Sequence, residues 1–262
     1  MRVNYHTHTT RCNHASGSER EYVENAIKGG LKVLGFSDHS PYIFAPDRRD
    51  YAGFRMKPEE TAEYIGTIRA LAKEYAGDIQ LLAGVEIEYY PQYFERTVRF
   101  LGEMDCDYLI MGQHMIGDEE TAVSGGTADA KVLSRYVSQA IEGMETGKFA
   151  YFAHPDMFLF NGDARAREKE YTRLCEAAKR LNVPLEINMY GMVDNRWYPR
   201  ADFFRLAGEI GNEIVAGVDA HDPGRLSDPT EWERVQAFAA ECGVQITELP
   251  VERVLSHKTK IR

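Results

Sequence analysis

Cysteine is scarce and scattered. Cys12, Cys106, Cys175 and Cys242 contain no C-x-x-C pair, so neither a thiolate zinc knot nor a disulfide framework is indicated. Long apolar runs are missing too. Nothing approaches about 18 consecutive apolar residues, and the opening MRVNYHTHTT is too polar for a secretory leader. A cytoplasmic protein with no membrane partner is the resulting expectation. Positive charge is also short. A net charge of -10 leaves no basic field to release counterions from a nucleic-acid backbone, whereas a few local cations suffice for a small phosphorylated metabolite. The glycine signatures G-x-G-x-x-G and G-x-x-x-x-G-K-[ST] are absent, which removes the usual phosphate cradles of nucleotide-binding open sheets.

What remains is an ordinary globular composition, 44% hydrophobic and 27% charged over 262 residues. Its organisation is strand, loop, helix, repeated. Strands are predicted at 2–6, 33–37, 79–90, 108–111, 149–153, 183–188 and 214–218. Between them stand helices beginning near Ser18, whose spacing to Glu21 fits a capping box, and at 58–75, 91–104, 129–146, 165–181 and 201–210, with a last helix at 230–242. The loop before Pro58 is long and aromatic, and loops of that length are uncommon unless functional. Strands alternating with helices of ten or more residues imply a parallel sheet with right-handed crossovers. About seven such units suit a closed or nearly closed α/β barrel. One domain spanning 1–262 is expected, with a C-terminal helix and tail over 230–262; oligomeric state is left open by the sequence.

The ligand-type residues fall in a pattern. His6 and His8 close the first strand, Asp38 and His39 the second, and Glu86 lies near the end of the third. His114 follows the fourth strand, His154 the fifth, and Asp219 and His221 the seventh, while His14 stands in the first loop. A lone histidine is more often a structural residue than a ligand. In a parallel barrel, however, the C-terminal ends of all strands meet on one face, which brings these residues together. Imidazole and carboxylate ligate Zn, Mn or Fe, and a site without cysteine keeps such ions Lewis-acidic. Alternate residues of a strand share a side, so His6 and His8 can reach one ion, as can Asp219 and His221. Glu86 can bridge two ions at the separation of about 3.5–4 Å typical of two-metal hydrolytic sites.

With those residues in hand, H-T-H-T at the start, G-F-S-D-H at Gly35–His39, G-V-E at Glu86, His114, A-H-P-D at Ala153–Asp156 and G-V-D-A-H-D-P at Gly217–Pro223 resemble the PHP superfamily of metal-dependent phosphoesterases. H-x-S-G-S at His14–Ser18 and L-E-I-N at Leu185–Asn188 resemble its histidinol-phosphatase branch. The resemblance implies a distorted seven-stranded (β/α) TIM-like barrel holding three divalent ions. The first would be held by His6, His8, Glu86 and Asp219, the second by Glu86, His114 and His154, and the third by His14, His39 and His221. It further implies hydrolysis of a phosphomonoester, histidinol phosphate in histidine biosynthesis, by in-line attack of a metal-activated water. Asp38 and Asp222 are candidates for the leaving-group acid, Asp38 equally for a residue orienting a ligand histidine.

Family histidinol phosphatases also grip phosphate with arginine. Arg196 is the best-placed candidate. After A-H-P-D the family carries an arginine within a few residues, whereas here the next one is Arg165. Three other readings compete: a relative acting on another small phosphate ester or nucleotide, an amidohydrolase, and a non-catalytic metal-binding module. An amidohydrolase has no place for the trio His14, His39 and His221, and an inactive module would be expected to lose ligands.

Overall fold

The computed structural model describes residues 1–44, 53–118 and 123–261. Seven apolar segments pair in parallel in the order in which they occur in the chain: β1 (Val3–Asn4), β2 (Val33–His39), β3 (Gln80–Ile87), β4 (Leu109–Met111), β5 (Phe149–Phe152), β6 (Leu185–Asn188) and β7 (Ile214–Gly217). The sheet closes at its C-terminal rim. Thr7 bridges Ala220 in parallel, and the His8 amide donates to the Ala220 carbonyl at 2.9 Å. Closure removes the unpaired edges that β1 and β7 would otherwise expose. Distortion enters through the two-residue β1 and a register shift between Leu109 and Met111.

The helices are α1 (Glu19–Lys28), α2 (Thr61–Glu74), α3 (Phe94–Glu103), α4 (Ala130–Glu145), α5 (Ala164–Leu181), α6 (Ala201–Ile210) and α7 (Pro229–Cys242). Their ends follow local chemistry. Ser18 and Glu21 form the capping box reciprocally, and Asp129, Asp163 and Asp228 accept amide hydrogens at the starts of α4, α5 and α7. Inward faces repeat at helical period, as in Phe94, Thr97, Val98 and Leu101 of α3. Pro58 opens a single 3-10 turn, Pro58–Glu60, that leads into α2. Residues 45–52 of the long aromatic loop lie outside the described residues.

Some elements differ from expectation. Gly125–Thr127 pairs in parallel with Leu159–Phe160 as a separate two-stranded ribbon, and a five-residue helix, Met189–Val193, follows β6. Such short elements carry no periodicity to read. The basic C-terminal segment is no loose tail. Val251–Leu255 and Lys258–Ile261 are helical, and Leu249 and Val254 pack with Tyr5, Leu82, Tyr108, Tyr151 and Val215 inside the barrel. Polar contacts hold this plug in place: the Tyr5 hydroxyl donates to the Leu249 carbonyl at 2.9 Å, Arg253 pairs with Glu213 at 2.6 Å, and Lys258 with Asp107 at 2.8 Å. The inner layer is thus sealed at the N-terminal end, and the polar cluster occupies the opposite one.

Candidate metal centre

The strand ends and the loops that follow them deliver all nine candidate ligands to one rim. Glu86, buried at the end of β3, is its centre. One carboxylate oxygen, Oε2, lies 3.7 Å from His6 Nε2, 3.5 Å from His8 Nε2 and 3.2 Å from His39 Nδ1. The other, Oε1, lies 2.8 Å from His154 Nε2 and 3.5 Å from His114 Nε2. Asp219 Oδ1 stands 3.4 Å from His6 Nε2 and 3.1 Å from His8 Nε2. Donor atoms of His14, His39 and His221 lie within 4.8 Å of one another, as do those of His6, His8 and Asp219 and those of His6, Glu86 and His154. The carboxylate therefore faces two sets of imidazoles with its two oxygens.

The backbone is shaped around these groups. A Cβ on Gly112 would fall 2.0 Å from Glu86 Oε1, and one on Gly217 1.8 Å from Glu186 Oε1. Glycine after a strand can mark such a close approach, a signal present in the sequence and not used. His154 (φ 34°) and Asp219 (φ 52°) adopt left-handed backbone conformations, which cost a non-glycine residue on the order of 1–3 kcal/mol and cluster at functional sites. Gly112→Ala is expected to displace Glu86, costing about 1–3 kcal/mol of stability as an overpacked site does and more than about 10-fold in activity, as loss of an outer support does; thermal melts and kcat/KM together check this.

Behind the ligands sits a ring of acceptors. His6 Nδ1 meets Glu186 Oε1 at 2.8 Å, and Glu186 Oε2 accepts from the His154 amide and from Asn188 Nδ2, each at 3.0 Å. Asn188 Nδ2 also reaches Asp219 Oδ2 at 3.0 Å. His114 Nδ1 meets Glu88 Oε1 at 2.6 Å, and Glu88 Oε2 pairs with the buried Arg55 at 2.9 Å. His14 Nδ1 and His221 Nδ1 rest on the carbonyls of Cys12 (2.7 Å) and Asp219 (3.1 Å). Such contacts fix the tautomer and aim the other ring nitrogen. Sequence reasoning missed Glu88, Glu186, Asn188 and Arg55. Glu88 was within reach, because E-I-E places it on the same side as Glu86.

The charge balance among these groups suits a cation. Burial pushes the His6 imidazolium down, yet Glu186, Asp219 and Glu86 outweigh it and raise the pKa to about 10. His8 is raised despite burial by Asp219 and Asp38. Glu86 and Asp219, which burial alone would push up, are held well below the carboxylate range by the surrounding imidazoles. Burial and the charge on His8 drive His221 down to about 3. Even so, His6 Nε2, both His8 nitrogens, both Glu86 oxygens, Asp219 Oδ1 and His221 Nε2 are buried without a hydrogen-bond partner. Each such orphan costs about 1–3 kcal/mol, and inward-facing imidazoles with carboxylates fit divalent ions.

Without metal the surrounding carboxylates hold His6 and His8 toward the protonated form, and an ion must displace those protons. Loading is expected to release protons and to weaken as pH falls, measurable by calorimetry in buffers of different ionisation enthalpy.

A cavity of about 220 Å³ opens onto the rim. Phe54, Met115, Met157, Tyr190 and Tyr198 form its apolar wall, and Arg196 reaches it with the guanidinium 4.3 Å from the Tyr190 ring centre. Other expected residues fall elsewhere. Arg165 is exposed on the first turn of α5 and does not line the cavity. Asp222 caps a 3-10 turn through the Gly224 amide at 2.8 Å and accepts from Ser16 at 3.2 Å, also off the cavity. Asp38 is buried behind the cluster, accepting from Thr9 Oγ1 and from the His39 amide, 3.4 Å from His8 Nδ1. Of its two anticipated roles, that position suits orienting His8 and not proton donation. Cys12, set aside on spacing alone, is buried with its sulfur within 4.8 Å of donor atoms of His8 and His221, so the cluster is not free of thiol.

Known proteins resemble this chain in sequence and fold. The PHP domain model matches residues 4–189. A probable histidinol-phosphatase of Deinococcus radiodurans is 31% identical over 234 residues, covering 84% of this chain and 86% of its own. Histidinol phosphate phosphatase of Lactococcus lactis, solved with zinc, L-histidinol and phosphate, shares the fold at a TM-score of 0.72 and 19% identity, over 94% of this chain and 95% of that one. The putative histidinol phosphatase of Listeria monocytogenes does so at 0.66 and 18%, over 88% and 99%. With a matching domain over residues 4–189 and a 31% identical relative over 84% of its length, the chain belongs to the PHP family.

Proposed function

We propose that this protein is a metal-dependent phosphomonoesterase that hydrolyses L-histidinol phosphate to L-histidinol and phosphate. The observation that carries the reading is Glu86, whose two oxygens face separate imidazole sets beside a third histidine trio at the mouth of a small cavity. We assign His6, His8, Glu86 and Asp219 to one ion, Glu86, His114 and His154 to a second, and His14, His39 and His221 to a third, with Zn, Mn or Fe all chemically acceptable. Ions held there supply positive charge to the phosphate oxygens and to the leaving alkoxide and lower the pKa of water to about 7.

The chain's own residues do the rest. Glu186 and Glu88 hold His6 and His114 in one tautomer, and Asp38 steadies His8. Arg196, stacked on Tyr190, offers a planar fork to phosphate oxygens from the open side of the cavity. Tyr198, Phe54 and the two methionines exclude water around the ester, which strengthens every charge interaction inside. Among the described lining residues, the carboxylates are Glu86 and Asp219, both committed to the ligand cluster. Among the described residues, the leaving oxygen is therefore met by positive charge and not by a carboxylic acid.

That the described lining residues offer no further carboxylate favours one second reading. Histidinol carries an ammonium, and a wall of aromatic and methionine side chains would equally take an uncharged alcohol. The deciding experiment is kcat/KM on histidinol phosphate against a panel of monoesters. Histidinol phosphate should lead by at least about 10-fold, the scale of discrimination that modest pocket contacts provide. A flat profile across the panel favours the broader phosphatase.

A further inference from the structure

The three proposed ion positions are unequal in charge. At the first, Asp219 and Glu86 contribute anionic oxygens directly, and Glu186 and Asp38 stand behind His6 and His8 at 2.8 and 3.4 Å. At the second, Glu86 supplies its other oxygen and Glu88 backs His114, although Arg55 at 2.9 Å offsets the Glu88 charge. The third is different in kind. His14 and His221 are backed by the neutral carbonyls of Cys12 and Asp219, and no carboxylate belongs to the trio itself. Among the described residues the nearest ones are already engaged. Glu86 Oε2, 3.2 Å from His39 Nδ1, also faces His6 and His8, and Asp219 Oδ1, 3.4 Å from His221 Nδ1, is closer to His8.

A divalent cation among neutral imidazoles gains far less Coulomb energy than one touching a carboxylate, and here it would also sit beside two already charged positions. His14 is exposed at the rim, and all three histidines line the cavity together with Arg196. Among the described residues the Cys12 sulfur also stands within 4.8 Å of a His221 donor atom, but the negative charge of a carboxylate at this position is left to whatever occupies the cavity. We propose that the His14, His39 and His221 position takes its ion last, and holds it tightly only when a phosphate group is bound in the cavity. Ion and phosphate then bind cooperatively: each raises the affinity of the other by the same factor. The ester's own phosphate completes the centre that hydrolyses it, and free phosphate product holds the third ion in place until it leaves. The inference rests on the proposed ligand assignment.

Counting bound ions tests it without reference to turnover. Chelator-stripped protein is equilibrated with buffered Mn²⁺, with and without inorganic phosphate, and manganese per chain is measured by mass spectrometry. Two ions per chain are expected without phosphate and three with it, phosphate lowering the Kd of the last ion by about 5- to 150-fold, the usual range for coupled ligands. His14→Ala should hold two under both conditions. Three ions of unchanged affinity with and without phosphate, or two under both in the unsubstituted protein, overturn the inference while leaving the metal centre standing. A third ion retained by His14→Ala overturns its placement. Fewer than two ions under every condition contradict the ligand assignment itself.

Discussion

Glu86→Ala is expected to lower kcat/KM by about 10³-fold or more while the barrel stays folded. Among the described residues the carboxylate is the one group placed to reach both the His6/His8 and the His114/His154 sets, so its loss disturbs two ion positions at once. Two-metal sites contribute several kcal/mol of transition-state charge stabilisation, and about 1.4 kcal/mol corresponds to a factor of ten in rate. Folding should survive because the side chain points into the polar rim, away from the apolar layers that hold α1 to α7 against the barrel. Circular dichroism should be unchanged and bound metal reduced. Glu86→Gln keeps the shape but not the charge, and should fall nearly as far. Full activity in either variant would remove the metal model.

Stripping the protein with chelator should reduce hydrolysis of histidinol phosphate below about 1% of the untreated rate, with recovery on adding Mn²⁺ or Zn²⁺, since the ions provide both nucleophile activation and charge neutralisation. It should also lower Tm. An ion at 100 times its Kd stabilises the folded state by about 2.7 kcal/mol, and about 2–4 °C per kcal/mol for chains near this size gives a drop of about 5–10 °C for each ion removed. The metal-free cluster does not collapse into self-sufficiency. Its carboxylates and protonated imidazoles offset one another in part, but the unpartnered nitrogens and oxygens of His6, His8, Glu86 and Asp219 stay buried. A scan with and without chelator checks both the direction and the size of the shift.

The barrel and its ligand rim were legible because both rest on local periodicity. Helices such as Ala201–Ile210 stand where their apolar spacing puts them, and histidines two apart at a strand end share a side in any parallel barrel. What escaped depends on tertiary placement. Arg55 reaches Glu88 from a loop whose path no spacing reveals. The segment from Leu249 onward reads as a charged tail, because the few apolar residues that enter the barrel, Leu249 and Val254, are too sparse to show a period. Asp38 and Asp222 were plausible acids by neighbourhood in sequence. Only the directions of their side chains, toward Thr9 and the His39 amide in one case and toward Ser16 and Gly224 in the other, separate them from the cavity. Arg165 failed for a similar reason: a helix start near a cavity can still project its first-turn side chains into solvent.

Anomalous diffraction from crystals grown with Mn²⁺ and phosphate is the most direct measurement of the central claim. Peaks are expected on both sides of the Glu86 carboxylate, one against His6, His8 and Asp219 and one against His114 and His154, with a third among His14, His39 and His221. Density for manganese elsewhere on the surface, with none within ligand distance of Glu86, would contradict it.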